Sequence, residues 1–565
     1  MAVQLPLQYS VSFPKSFYEY GKRSSGEGHG VVLTKRHIVE MMLDISGYRK
    51  DLGLIDKSLL EPSCGHGAFL LPAIHRFFSS SSTHQLDVDT LKQRFLAYDI
   101  NEAHVKITRR NVYKALIDIG IPRFDADMLA NSWVRYGDFL LENDGRIFDF
   151  VIGNPPYIRI EQLSPILHAE YRSRYSSLFD RADIYVAFIE HGLDLLKDNG
   201  SLTFICADRW ILNKYGEAIR RKISDNFAIK YYIDLHEASP FETDVIAYPA
   251  IFTISSQKKQ TVHITKLHTA TPEECKKAAC NLISPNKTQI DTAIHKYDTW
   301  FNGSEPWVLT SPEHLKALRS MENRLEPLEN HGDTKVRIGV ATGNDKIYIV
   351  SNTLNIESDR LIPIVKREDL VHGKIIDSGR SVINTFIHGK GTINLDNYPR
   401  LKAFFIANKE QIKKRYVAKK NPNSWFRTID RVYPEIVKKP KLLIPDIAGS
   451  NEIVYDEGRY YPHHNLYFIT SSEWDLEVLG GLLSSRVALF FIWSYAVKMR
   501  GKYLRFQAQY LRRICIPKSY LIPKSLQKDI KIAFRRRDFH RLDAFGLQAY
   551  GLDSIPDFDF VDTRK

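Results

Sequence analysis

Leu59-Leu60-Glu61-Pro62-Ser63-Cys64-Gly65-His66-Gly67-Ala68-Phe69-Leu70 reads as a strand, a tight glycine turn and the first residues of a helix. Glycine lets a backbone approach a ligand where a Cβ would clash. Taken alone, such a turn is equally an ordinary strand–helix connection, so its surroundings decide. Phe95–Ile100 reads as a second strand, and it ends in Asp99. In nucleotide-type sites a carboxylate at that place accepts hydrogen bonds from ribose hydroxyls. Tyr136-Gly137-Asp138-Phe139 then sets another carboxylate beside an aromatic ring, a pair suited to an adenine's amino group and face. In this order the three segments point to a nucleoside-containing cofactor. The sequence has no GxxxxGK[ST], which argues against a P-loop nucleotide. His66, a single histidine in a turn, is read as a hydrogen-bonded turn residue without a catalytic role.

Working outward, strand-like runs at Ser58–Glu61, Phe95–Ile100, Phe148–Ile152, Ser201–Cys206, Lys230–Leu235 and Ala250–Ser255 alternate with amphipathic stretches such as Asp183–Lys197. That alternation predicts an α/β fold with a mostly parallel sheet, whose ligands bind beyond the carboxyl ends of the strands. Residues 1–29 form an N-terminal extension and 30–260 a catalytic domain. Residues 261–310, rich in Lys, Thr and Asn, read as a connection. From 311 to 518 the alternation is lost. Short strands (Val336–Val340, Ile347–Val350, Lys441–Ile444, Asn465–Ile469) mix there with basic helices in an α+β pattern, and 519–565 reads as a helical tail.

Charge divides at the same place. The 565 residues carry a formal charge of +13, from 79 basic and 66 acidic side chains. Residues 1–300 hold 36 of each, so the whole excess lies beyond them. A neutral half followed by a basic half suggests that chemistry and polyanion binding are divided along the chain. Five scattered cysteines give neither a disulfide framework nor a zinc site, and no metal is expected. The most apolar stretch, Val487–Val497, is about half the ~20 residues that span a bilayer. No secretory signal is evident at the N-terminus, so a soluble, cytoplasmic protein is expected.

The most informative tetrapeptide is Asn154-Pro155-Pro156-Tyr157, directly after the strand Phe148–Gly153. Two prolines fix φ and remove two N–H donors, leaving the Asn154 amide oxygen and the Pro155 carbonyl as acceptors. Tyr157 can lay its ring against a flat substrate. A proline-rich strand end is common; this tetrapeptide downstream of the glycine turn is far more specific.

Together these residues resemble the gamma-class, TaqI-type N6-adenine DNA methyltransferases of restriction–modification systems. The resemblance runs from Val31-Val32-Leu33-Thr34 through Glu61–Phe69, Asp99, Asp138-Phe139 and Asn154–Tyr157 to Phe241, roughly residues 30–260. It implies a Rossmann-like, S-adenosylmethionine-dependent methyltransferase domain followed by a DNA-specificity domain. Thr34, Glu61, Ser63, Gly65, Gly67, Asp99, Ile100, Asp138, Phe139 and Pro156 would bind the cofactor. Asn154 and the Pro155 carbonyl would hold a flipped adenine's amine, Tyr157 would stack on the ring, and Phe241 would close its other side. The family often has Thr-Pro where this chain has Thr34-Lys35.

The same resemblance implies double-stranded DNA as partner, a separately encoded restriction endonuclease and action as a monomer. Cytosine C5 chemistry is disfavoured, because Cys64 lies in the cofactor turn and no other cysteine is well placed. The N4-cytosine enzymes usually begin their tetrapeptide with Ser. Methylation of an RNA amine or a release-factor glutamine, and a non-catalytic DNA-specificity protein, are the other readings.

Two basic stretches are candidates for gripping DNA. Lys402–Lys441 holds twelve basic residues, Lys413, Lys414 and Arg415 among them, against three acidic ones. Lys498-Met499-Arg500-Gly501-Lys502-Tyr503-Leu504-Arg505-Phe506 interleaves cations with aromatics, which suits a loop tracking phosphates. Val336–Asp345 resembles part of the family's specificity domain.

Overall fold

The structure is a computed structural model that describes residues 32–80, 86–243, 248–258, 261–284, 294–298, 300, 301, 303–448, 453–496 and 504–559. Lys498, Arg500 and Lys502, and the extension 1–29, lie outside the described residues. The chain divides into two units, Met1–Val308 and Leu309–Lys565.

The first unit is built on nine described strands. They are β1 (Leu59–Glu61), β2 (Phe95–Asp99), β3 (Val134–Tyr136), β4 (Phe148–Gly153), β5 (Leu196–Ala207), β6 (Ala228–Asp234), β7 (Pro249–Ser255), β8 (Val262–Lys266) and β9 (His295–Tyr297). They form one sheet in the order β3-β2-β1-β4-β5-β7-β6-β8-β9. Every pairing from β3 to β5 is parallel, whereas β7 runs antiparallel to both β5 and β6. The central strands are buried on both faces and read as continuous apolar runs, as parallel strands between helical layers must. Helices such as Arg36–Ser46, Leu70–Phe78 and Tyr185–Asp194 bury apolar residues, including Ile38, Met42, Phe77 and Ile189.

The expected connection 261–310 is corrected by this sheet. β8 pairs in parallel with β6, β9 closes the edge, and Trp300 and Trp307 are fully buried. The polar composition there reflects the margin of the sheet, where β9 is the edge strand and β8 its neighbour, and His263, Lys266, His295 and Lys296 take the half-buried and exposed positions.

The second unit has a sheet made of Lys335–Ile338, Leu466–Thr470, Lys441–Pro445 and Val454–Asp456, all antiparallel. A second sheet orders Ile349–Ser351, Arg380–Ile383, Leu361–Val365 and Tyr461–Pro462. Ile347 and Tyr348, expected in a strand, instead belong to the short helix Asp345–Tyr348. The helices Lys524–Arg536 and Phe539–Tyr550 pack on Leu476–Leu483 and Arg486–Tyr495. The expected helical tail is thus helical over 524–536 and 539–550, and these helices pack within this unit. A Cβ on Gly480 would stand 2.7 Å from Phe534, and one on Gly481 would stand 2.4 Å from Ile530, so only glycine permits this approach. Val487–Tyr495 is buried in the same layer, and no single described helix is long and apolar enough to cross a membrane.

Candidate active site

The sheet order brings the sequence motifs to one edge. Glu61 ends β1, Asp99 ends β2, Asp138 follows β3, and Asn154 follows β4. All four leave the carboxyl ends of neighbouring parallel strands, which is where ligands of doubly wound sheets bind.

The glycine turn is held in shape by Asp99, whose Oδ2 accepts from the Gly65 amide at 2.9 Å and whose Oδ1 accepts from Asn101 N at 2.8 Å. Gly65 has φ +50°, and a Cβ built there would meet open space. Gly67 has φ +86°, and its Cβ would press on Thr108 at 3.2 Å. The first glycine thus borders a vacant approach and the second a packed one.

Glu61 is 1% exposed, and its Oε2 has no hydrogen-bond partner among the described residues. Burial pushes its carboxyl well above the usual range, although the amides of Phe69 and Leu70 counter this. A buried, unpartnered carboxylate oxygen is costly unless a ligand satisfies it. With the open flank of Gly65, it fits a polar, cationic cofactor such as S-adenosylmethionine. Ser63 and Ile100 lie beside this turn, partly buried.

Asp138 is also buried, and desolvation raises its carboxyl to about 6. Both its oxygens have protein partners: Leu140 N at 3.0 Å and the Tyr171 hydroxyl at 2.5 Å. Tyr171 comes from the helix Pro165–Arg174, and no local sequence signal marks it. Phe139 is 3% exposed and packs on His191 and Phe188, with ring centroids 4.6 and 5.2 Å away.

Asn154 is fixed by three contacts. Its Nδ2 donates to Val32 O at 3.0 Å and to Thr34 Oγ1 at 3.3 Å, and its backbone carbonyl accepts from Ser63 Oγ at 2.9 Å. A carbonyl can only accept, so Val32 dictates which end of the amide is nitrogen. That leaves Oδ1, buried and without a partner among the described residues. Pro155 is buried and Pro156 partly so. Thr34, expected at the cofactor, has its hydroxyl on Asn154.

Tyr157 follows, its hydroxyl buried without a partner among the described residues and its phenol pKa raised by burial. Phe241 reaches it because Thr34 and Phe241 form an antiparallel bridge, flanked by Lys35 N to Pro240 O at 3.0 Å and Glu242 N to Leu33 O at 2.9 Å. The rings are 6.3 Å apart with planes at 82°. A base held between two rings needs them near parallel and roughly 7 Å apart, two contacts of about 3.5 Å. The two rings meet edge to face, and Phe241 is 3% exposed and packs into the main core. Burial also raises the Cys64 and Cys206 thiols well above their usual range, which leaves neither poised as a nucleophile.

In the second unit the basic stretch separates into two kinds. Lys413 and Lys414 are exposed. Arg415 is not free to meet phosphate. It donates to the carbonyls of Thr342, Trp425, Arg427 and Ile412 and to the Tyr348 hydroxyl, at 2.6–3.1 Å. Its expected role on DNA is corrected to that of an internal brace, since Nε, Nη1 and Nη2 all donate to the fold. Lys441 is likewise fully buried, 2.7 Å from Asp456. Arg505 is described only by its backbone, in the pair Leu504–Arg505 with Ile447–Ala448. In the Val336–Asp345 segment, Asp345 takes Thr342 Oγ1 at 2.6 Å and His463 Nε2 at 2.7 Å.

Comparison with known proteins agrees with this site. Residues 93–241 match the Eco57I restriction-modification methylase family, and residues 387–516 match the TaqI-like C-terminal specificity domain. The chain is 44% identical over 519 residues to the Type II methyltransferase M.BstVI of Geobacillus stearothermophilus, covering 89% of this chain and 92% of that one. It is 42% identical to M.XhoI of Xanthomonas vasicola, covering 93% and 97%. It is 40% identical to M.PaeR7I of Pseudomonas aeruginosa, covering 93% and 92%. A structure of the Type IIL restriction-modification enzyme MmeI in complex with DNA shares the fold, with a TM-score of 0.59 at 12% identity over 93% of this chain and 74% of that one. Two units, a nucleoside-cofactor turn and an Asn-Pro-Pro-Tyr loop thus coincide with near-full-length relatives, and the chain belongs to the Type II, S-adenosylmethionine-dependent DNA methyltransferases of restriction–modification systems.

Proposed function

We propose that the methyl group goes to the N6 amine of an adenine rotated out of duplex DNA, and that the product protects a site from a separately encoded endonuclease. The observation that carries this is the orientation of Asn154, with both amide hydrogens engaged and Oδ1 left to accept. An exocyclic amine is a poor nucleophile because its lone pair is delocalised into the ring. An acceptor at Oδ1 and another at the Pro155 carbonyl would hold its two hydrogens and turn the lone pair toward the donor. That is catalysis by placement and electrostatics, with no strong base. Bound S-adenosylmethionine supplies an electrophilic methyl on a sulfonium centre.

Glu61 Oε2 and the open side of Gly65 would meet that cofactor, with Ser63, Gly67, Ile100 and Pro156 shaping the pocket. Asp99 and Asp138 would hold its walls, each through the partners described, and Phe139 would back them. Tyr157 would cover the flipped base, and Phe241 would buttress Tyr157 from the edge. Lys413 and Lys414, and by sequence Lys498, Arg500, Lys502 and Arg505, would meet phosphates.

The test is direct. The protein is incubated with methyl-labelled cofactor and duplex DNA, and the product is digested to nucleosides. Label in 6-methyladenine is expected; label in 4-methylcytosine instead would overturn the reading.

A further inference from the structure

We infer that Thr34 is a positioning residue for methyl transfer, acting through Asn154 rather than on the cofactor. The inference rests on the reading that Asn154 Oδ1 accepts a hydrogen from the target amine. Thr34 is 5% exposed, and its Oγ1 lies 3.3 Å from Asn154 Nδ2. The other acceptor for that nitrogen is Val32 O, two residues earlier in the same segment. The amide is therefore tethered twice to one short piece of chain. Rotation about its terminal bond, otherwise broad and roughly two-fold, is confined to the setting that points Oδ1 away.

That piece of chain is itself anchored. Residues 33–35 pair with 240–242, through the Thr34–Phe241 bridge and the two backbone bonds that flank it. One of those bonds uses the amide of Lys35, a donor that the proline frequent at this position in the family cannot supply. Lys35 Nζ adds a bond to Ser239 O at 2.8 Å. This ribbon presents Thr34 to Asn154 and Phe241 to Tyr157, so one paired segment supports both the acceptor and the ring.

The test compares Thr34→Val, which keeps the shape and removes the hydroxyl, with Thr34→Ser, which keeps the hydroxyl. Thr34→Ala serves if the valine variant does not fold. Single-turnover transfer is measured at saturating cofactor and DNA, with cofactor affinity measured separately by equilibrium binding. The expected result is a chemical step roughly fivefold slower or more in Thr34→Val, the worth of one hydrogen bond, with cofactor affinity within about twofold and Thr34→Ser close to the parent. The inference is overturned if Thr34→Val loses cofactor affinity in step with rate, matches the parent, or is no worse than Thr34→Ser. Asn154→Ala is the control. If it keeps full transfer to adenine, the reading of the site fails. If it is inactive while Thr34→Val matches the parent, only the role of Thr34 fails.

Discussion

Replacing Asn154 with alanine separates chemistry from binding because the three contacts of this residue serve different ends. The lost Oδ1 is one preorganised acceptor at the reacting centre, and loss of such a group costs about 10²–10³ in kcat, or ~3–4 kcal/mol. The lost Nδ2 bonds to Val32 O and Thr34 Oγ1 are each worth about 1 kcal/mol, so folding stability should fall by ~2 kcal/mol. For a unit of this size that lowers the melting midpoint by roughly 3 °C. The backbone bond from Ser63 Oγ to Asn154 O survives the substitution, so the cofactor turn stays tied to the loop. Cofactor affinity should therefore stay within about twofold. Rapid-quench single-turnover transfer from labelled cofactor reads the first quantity, and equilibrium binding reads the last. A rate loss below tenfold, or a loss of cofactor affinity that accounts for it, would refute the assignment of Oδ1.

Other substitutions give distinct signatures. Tyr157→Phe should leave turnover nearly unchanged and hold or raise the melting midpoint, because it removes a buried hydroxyl with no partner among the described residues. Tyr157→Ala should lose ~1–3 kcal/mol of stacking, seen in steady-state kinetics as a fall of about five- to 150-fold. Both glycines hold positive φ, so either alanine costs stability, but Gly67→Ala should cost more because only its Cβ strikes protein, while Gly65→Ala should weaken cofactor binding more; paired binding and melting measurements check this. Tyr171→Phe should destabilise more at pH 8 than at pH 5. Above about 6 Asp138 is ionised and accepts a charge-assisted bond from Tyr171, and below it the carboxyl is protonated and the bond weaker. Equal losses of melting midpoint at both values would contradict it. Lys441→Met should cost ~3–5 kcal/mol by stranding Asp456 in the core, with much of it restored in a double apolar variant.

The legible parts of the sequence were those where burial writes a pattern. β1, β2, β4, β6 and β7 are short apolar runs, and each lies where its run predicts. β8 and β9 were hidden because strands at the margin of a sheet keep half-buried polar positions, and their histidines and lysines read as linker. The motif residues converge because parallel strands share a carboxyl edge, which alternation alone implies. What could not be read is who holds whom. Nothing near Thr34 announces that its hydroxyl faces residue 154, since that contact spans 120 positions and depends on a ribbon with residues 240–242. Nor does Tyr171, in a helix after the tetrapeptide, signal its bond to Asp138. Arg415 shows the same limit for charge. In a run of lysines it read as a DNA contact, yet its planar fork matches a ring of carbonyls better than an ammonium does.

The glycine-lined contact of Leu476–Leu483 with Lys524–Arg536 sets how this chain can be cut and joined. The recognisable specificity region stops at residue 516, and a designer trimming there would remove the helix that Gly480 and Gly481 were shaped to receive. The shortened protein would carry a bare apolar groove with no side chains to fill it, and would be expected to clump and be degraded. Grafting this specificity region onto another catalytic unit would thus require carrying the helices through Tyr550 as cargo.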